Sequence, residues 1–247
     1  MPLLLGVNID HIATLRQARY ALTPDSPNAE PCPVQAGHDA LAGGADSLTI
    51  HVRGDRRHMQ DADAYRIRAE VPVPLNLEMG VTEEMLGLAL KLKPEFVCLV
   101  PENRMELTTE GGLDVLANFD KTRTFISQLQ DAGIRVSLFI DPDPQQVEAA
   151  AAACADMIEL HTGAFANATG GAVQTELARL IAAAQQGHPH LQVNAGHGIH
   201  CENLHQILRI PHLAELNIGH SIIARSTRVG LVAAVQEIKA LMANYPA

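Results

Sequence analysis

Residues 136–163 read VSLFIDPDPQQVEAAAAACADMIELHTG, and this stretch carries the architecture. The apolar run VSLFID (136–141) stops at an acid. PDPQQVEAAAAA (142–153) follows, alanine-rich, with proline near its start where a missing N–H does no harm to a helix. A second apolar run, MIELHTG (157–163), closes on Glu159 and His161. The order is strand, helix, strand, with a polar residue of catalytic type at each strand end. The same ending occurs upstream in VNIDH (7–11), LTIHVR (48–53), LNLEM (75–79) and FVCLVPE (96–102), and downstream in VNAGHG (193–198) and LNIGH (216–220). Eight such runs in series predict parallel strands whose C-terminal ends face a common site, which is the geometry of an α/β (β/α)8 barrel.

Between these runs the patterning is helical. Helices are expected over 34–43, 61–70, 82–93 with Thr82 as N-cap, 114–132 ending at Gly133, 142–153, 171–186 ending at Gly187, 201–209, and 221–243 as the longest. The proline-rich segment 20–33 reads as an irregular excursion inside one domain, not as a boundary. A doubly wound sheet would place a glycine-rich turn after its first strand. Here that strand runs into NIDHIATLRQAR instead.

The chain has 247 residues, close to the ~250 typical of a single (β/α)8 domain, so 1–247 is expected to form one catalytic barrel. Aromatics are only 3% of residues, which predicts a core of Leu, Ile, Val and Ala. The net charge of −10 argues against a nucleic-acid or anionic-membrane surface. No apolar stretch approaches the ~20 residues of a membrane span, and the N-terminal residues lack a basic n-region. A cytoplasmic enzyme is the expectation. The cysteines Cys32, Cys98, Cys154 and Cys201 form no C-x-x-C pair, and Cys98 within its apolar run reads as a buried thiol.

The strand endings supply Asp10, His11, His51, Arg53, Glu78, Glu102, Asp141, Glu159, His161, His197 and His220. In HVRGDRRH (51–58), four basic side chains suit a phosphate or carboxylate, against the alternative of a solvated loop of surface ion pairs. Glu78 shares a strand face with Asn76 and is either a structural ion-pair partner or a base with a raised pKa. Glu159 has the same placement. His161 is open between a reactive role and a histidine satisfied by backbone groups. In NAGHG (194–198) and NIGH (217–220), glycine beside histidine ends a strand and is expected to open onto a helix, the usual phosphate cradle of strands seven and eight. TTEGGLD (108–114) reads as a lid or as a plain turn. His188-Pro189-His190 reads as a surface loop at the barrel bottom. No metal-ligand spacing stands at a strand end, so no metal is expected.

Taken together, GVNIDHIATLRQAR (6–19), HVRGDRRHMQDAD (51–63), NLEM with VTEEM (76–85), LVPENR with TTEGGLDV (99–115), VSLFIDPD (136–143), IELHTG (158–163), VNAGHG (193–198) and ELNIGH (215–220) resemble the pyridoxine 5′-phosphate synthase family over nearly the whole chain. The resemblance implies a (β/α)8 barrel that condenses 1-deoxy-D-xylulose 5-phosphate with 3-amino-2-oxopropyl phosphate, losing inorganic phosphate and water, without an organic cofactor. It implies proton acceptors at His51 and Glu78, a proton donor at His197 and a transition-state stabiliser at Glu159. It puts the aminoketone phosphate at Asn8, Gly198, Gly219 and His220, and deoxyxylulose phosphate at Asp10, His11, Arg53, His58 and Thr108. Arg19 would reach a phosphate from a neighbouring subunit, within an octamer built from dimers. Residues 20–33 are longer and richer in proline than the family pattern.

Two anionic substrates would need two phosphate pockets, one at Gly198, Gly219 and His220 and one at Arg53, His58 and Thr108. Two other readings stand beside this one. A phosphosugar aldolase working through a Schiff base would need a lysine at a strand end, and none of the eight endings has one. A non-catalytic phosphosugar-binding barrel would have no use for His51, Glu78 and Glu159 together.

Overall fold

The computed structural model describes residues 2–102 and 111–246. Eight strands are present: β1 (Leu4–Asn8), β2 (Ser47–His51), β3 (Leu75–Gly80), β4 (Phe96–Val100), β5 (Arg135–Ile140), β6 (Met157–His161), β7 (Gln192–Gly196) and β8 (Leu213–Ile218). Each pairs in parallel with the next, and β8 pairs with β1 to close the barrel. Every run singled out in the sequence overlaps one of these strands. The expected (β/α)8 fold is therefore the observed one.

Helices α1 (Asp10–Tyr20) and α2 (Pro33–Ala42) lie between β1 and β2, with the proline-rich segment between them in turns. Single helices α3 (Asp61–Glu70), α4 (Glu83–Leu92), α5 (Phe119–Asp131) and α6 (Pro144–Ala152) follow the next four strands. The Thr82 hydroxyl accepts the Met85 N–H and caps α4 as expected. After β6 come α7 (Gly163–Asn167) and α8 (Ala172–Gly187), after β7 the short α9 (Leu204–Ile207), and after β8 α10 (His220–Val229) and α11 (Leu231–Met242).

Three helices differ from their sequence patterns. α5 starts at Phe119, because Asp114 accepts the Ala117 N–H at 3.0 Å and holds 114–118 in a turn. Only 204–207 of the expected 201–209 is helical, since Asn203 accepts the His200 N–H at 2.9 Å and folds the preceding residues back. The single helix expected over 221–243 is broken at Gly230, whose φ of 83° and ψ of 156° are closed to residues with a side chain.

Leu, Ile, Val and Ala fill the space between sheet and helices, where Leu48, Ile50, Leu77, Leu138 and Ile158 are fully buried. The barrel interior, in contrast, is not the aliphatic core expected from composition. Thr49 on β2 donates to Asn217 on β8 at 2.9 Å, and Asn217 donates to Glu159 on β6 at 2.7 Å. β6 and β8 are not neighbours, so these bonds cross the inside of the barrel. Ser47 on β2 donates to Glu215 on β8 in the same way, lower down. A buried polar group is tolerated when it is hydrogen-bonded, and this one is a chain of such bonds.

Candidate active site

The barrel opens at its C-terminal face into a cavity of about 750 Å³. Every expected site residue lines it except Arg19 and Thr108. Thr108 lies outside the described residues, as do most of 103–114. Arg19 is exposed at the end of α1, its guanidinium 5.8 Å from the Tyr20 ring, and it does not line this chain's own cavity.

On the β1 side, Asp10 opens α1. Its carboxylate accepts the His51 N–H at 2.7 Å and the Asn8 amide at 2.9 Å. His11 and His220 meet Nδ1 to Nδ1 at 2.9 Å, across the β1–β8 seam. Two ring nitrogens can hydrogen-bond only if one carries the proton. Burial, and then His220, hold the His11 imidazole below its usual pKa, while Asp10 pulls the other way. An anion arriving here would favour a charged pair.

The arginines of HVRGDRRH divide between the two readings. Arg53 is buried and lines the cavity, as do Arg57 and His58. Arg56 instead pairs with Asp61 at 2.6 Å and Glu84 at 2.8 Å, tying the loop to α3 and α4. His58 is held below its usual pKa, chiefly by burial.

Glu78 lies on β3 level with His51 on β2, and its Oε2 is 3.7 Å from His51 Nδ1. Burial pushes its carboxyl well above the usual range, and Asp10 and Glu159 push in the same direction. Glu159 is pushed up to about 8 by burial, against the hydrogen bond from Asn217 and with the help of Glu215. Glu159 therefore holds a proton at neutral pH in this site, and burial favours the protonated form of Glu78 as well.

His197 has φ of 79° and Gly198 φ of 73°. Two successive residues in the left-handed region make a turn that aims the imidazole into the cavity, and strain of this kind in a non-glycine residue clusters at functional sites. The Thr162 hydroxyl donates to the carbonyls of Gly196 and His197, and the Asn203 amide donates to the Gly198 carbonyl at 2.9 Å. This turn does not open onto a helix as expected, because residues 199–203 fold back before α9. The turn after β8 does, with Gly219 as N-cap of α10 and His220 as its first residue. Burial and the neighbouring His161 lower the His197 pKa to about 4, so it is neutral near pH 7.

His161 is buried behind His197, with ring centroids 5.0 Å apart, and its Nδ1 faces Asp141 at 2.8 Å. Its partner is a carboxylate, not the backbone groups weighed in the sequence. His188 stacks on His212 at 3.8 Å, at the far end of the barrel. Among the described residues no group of three or more His, Cys, Asp or Glu side chains is placed to hold a metal ion.

Three supporting residues do not stand out in the sequence as part of the site, Asn217, Thr162 and Asn203, whereas Glu102 is among the strand endings. Glu102 ends its apolar run, a visible signal. Asn217 and Thr162 act through contacts between strand ends far apart in the chain, and Asn203 through the turn that follows β7.

The model of the family described as pyridoxal phosphate biosynthesis protein PdxJ matches residues 5–244. The chain belongs to this family. Pyridoxine 5′-phosphate synthase of Akkermansia muciniphila is 58% identical over 239 residues, covering 96% of this chain and 97% of that one. The proteins of the same name from a Synechococcus species and from Magnetococcus marinus are 53% and 52% identical, each across more than nine-tenths of both chains. Among solved structures, monomers of phosphoribosylanthranilate isomerase from Thermotoga maritima superpose with a TM-score of 0.59 at 12% identity, covering 97% of this chain and 98% of the other. A 4-hydroxy-2-oxoglutarate aldolase gives 0.61 at 16%, covering 97% and 94%. At such identities these two share the barrel alone. The PdxJ relationship, in contrast, spans every strand end around the cavity.

Proposed function

We propose that this PdxJ-family barrel is a pyridoxine 5′-phosphate synthase. It condenses 1-deoxy-D-xylulose 5-phosphate with 3-amino-2-oxopropyl phosphate and releases inorganic phosphate and water. The observation that carries this reading is the convergence of four acid–base groups, His51, Glu78, Glu159 and His197, from four different strands onto one cavity flanked by cationic and glycine-lined ends. The naming of relatives more than half identical points the same way.

The chemistry needs protons moved at several atoms of two small substrates, and each well-placed acid or base contributes ~10²–10⁴ in rate. Burial works against this, because it favours a protonated Glu78 where a base should be ionised and a neutral His197 where a donor should be charged. The substrates reverse both. The aminoketone brings an ammonium beside Asp10 and Glu78, and a nearby cation favours the ionised carboxylate. Its phosphate, held by Gly198, Gly219, His220 and the first turn of α10, stands beside His197 and favours the imidazolium. Binding thus arms Glu78 as acceptor and His197 as donor. His51 is the second acceptor. Glu159, neutral and fixed by Asn217, donates a hydrogen bond to developing negative charge on oxygen. Asn8 orients Asp10 and Glu78. Arg53 and His58, with Thr108, hold the phosphate of deoxyxylulose phosphate.

The lining of the cavity among the described residues contains no lysine, so the Schiff-base alternative finds no nucleophile there. We propose further that the whole chain is one catalytic unit, that it needs no cofactor, that it works in the cytoplasm, and that it assembles into a homo-oligomer in which Arg19 reaches a neighbour's phosphate. Among the described residues no helix is long and apolar enough to cross a membrane. Purified protein given both substrates should produce pyridoxine 5′-phosphate and an equal amount of inorganic phosphate. No product at saturating concentrations of both would overturn the assignment.

A further inference from the structure

The proposed reading makes His51 a base, and an imidazole has two nitrogens that could serve. The surroundings of the ring select one. Glu102, two residues beyond β4, places Oε1 2.9 Å from His51 Nε2. The same carboxylate accepts the Gly80 N–H through Oε1 and the Gly54 N–H through Oε2, each at 3.1 Å. It sits between the ends of β2, β3 and β4, where a Cβ on Gly80 would stand 2.8 Å from Glu102 Cδ. Glycine at position 80 makes the room, and three donors from two other loops fill it.

Burial raises the Glu102 carboxyl, but the hydrogen bonds from His51, Gly54 and Gly80 outweigh it and keep the group below its usual range. An ionised carboxylate only accepts hydrogen bonds. The hydrogen between Glu102 and His51 therefore belongs to Nε2, and in the neutral ring Nδ1 carries the lone pair. Nδ1 faces the cavity side, with Glu78 Oε2 at 3.7 Å, too far to form a hydrogen bond that would compete for that lone pair.

We propose that Glu102 is a positioning residue, which fixes His51 as the Nε2–H tautomer so that Nδ1 is the atom that accepts the substrate proton. When Nδ1 takes the proton, the imidazolium is stabilised by the Glu102 carboxylate, which stays ionised. The proton later leaves from Nδ1, and the ring returns to its starting tautomer. This is the logic by which a buried carboxylate orients a catalytic histidine in hydrolytic triads, here in a barrel of different chemistry. The inference rests on His51 being a base, which the test separates from the role of Glu102.

Three variants and one spectrum decide it. In the wild-type protein, ¹⁵N NMR of the histidine rings, with His51 assigned by its disappearance in His51→Gln, should show Nε2 protonated and Nδ1 bare above the ring's titration. A bare Nε2 would overturn the proposal even if no Glu102 variant folds. Glu102→Gln and Glu102→Ala should lower kcat by about 10²-fold or more, the scale of one general base. Both should leave KM for the two substrates within a few-fold, the split expected of a group that orients the base without holding substrate. Near-wild-type kcat in Glu102→Gln would refute the positioning role. Full activity in His51→Gln would instead refute the base itself.

Discussion

Glu159 is 2% exposed, and its proton is held to about pH 8 where an ordinary glutamate loses it near 4.5. Its effect on stability has a definite sign. The folded state binds this proton more tightly than the unfolded chain. The stabilisation is complete below about pH 4.5 and is lost as the pH rises through 8. His197, lowered from 6.5 to about 4, acts oppositely: its contribution is present above 6.5 and lost as the pH falls through 4. The two slopes oppose each other between about 4.5 and 6.5, and from 6.5 to 8 the Glu159 slope is no longer offset by His197. At ~1.36 kcal/mol per proton per pH unit, Glu159→Gln should remove roughly 2 kcal/mol of pH-dependent destabilisation across that window. Urea melts of the two proteins at pH 6.5 and 8 should show the wild type losing roughly 2 kcal/mol more stability than the variant. An equal loss in both would mean that Glu159 is ionised in the fold. Glu78 is tested by rate. Glu78→Gln keeps shape and hydrogen bonding, so it should cut kcat strongly and leave substrate affinity within a few-fold, a loss confined to the transition state. A defect cured by raising substrate concentration would make Glu78 a binding group. Residues like Glu78 and His51 are legible in sequence because each interrupts an apolar run at a strand end. Asn217, Thr162 and Glu102 matter through what another strand brings to them. Arg53 and Arg56 look alike in HVRGDRRH, and only the turn of the chain sends one into the cavity and the other to Asp61 and Glu84.

At the scale of elements, the strands were readable because period and ending repeat eight times, whereas helix ends depend on single backbone angles. Gly230 is the clearest case. The apolar pattern runs unbroken from 221 to 243, and nothing in the string VGL announces a change of direction. In the structure Gly230 takes a conformation reserved for glycine, and α11 turns to pack its Val235 and Ile238 inward. No atom lies within 4 Å of where a Cβ would be, so substitution there meets strain but no clash. Gly230→Ala should therefore destabilise the protein by about 1–3 kcal/mol. In a continuous helix the same change would stabilise it by about 1 kcal/mol. The sign of the shift in the urea midpoint decides between a break and a continuous helix, and kcat should be unchanged, because Gly230 is not among the cavity residues. The polar barrel interior is a second feature that composition conceals. Few aromatics imply aliphatic packing, but the aliphatics lie outside the sheet, and the inside is given to the chain from Thr49 through Asn217 to Glu159.

The molecule as a whole carries ten net negative charges and is proposed to bind two phosphate esters, so its cations must act locally. Barrel closure arranges them. The sequence separates the arginine cluster after β2 from the Gly-His turns after β7 and β8, and places them across the mouth. Closure instead leaves only β1 between β2 and β8, and His11 touches His220 at that seam. The two proposed phosphate ends are thus neighbours that share a pair of histidines, with Arg53 and His58 on one flank and Gly198 and Gly219 on the other. Arg53→Ala should weaken deoxyxylulose phosphate by roughly 1.5–3 kcal/mol, the worth of a charge-assisted hydrogen bond. Its effect on the aminoketone should be much smaller. His220→Ala should weaken both, because the partner it removes from His11 belongs to the other end. Calorimetric titration of each variant with each substrate separately gives the four numbers. Equal losses for both substrates in Arg53→Ala would show one pooled anion site in place of two. A loss for the aminoketone alone in His220→Ala would show that the histidine contact does not join the two ends.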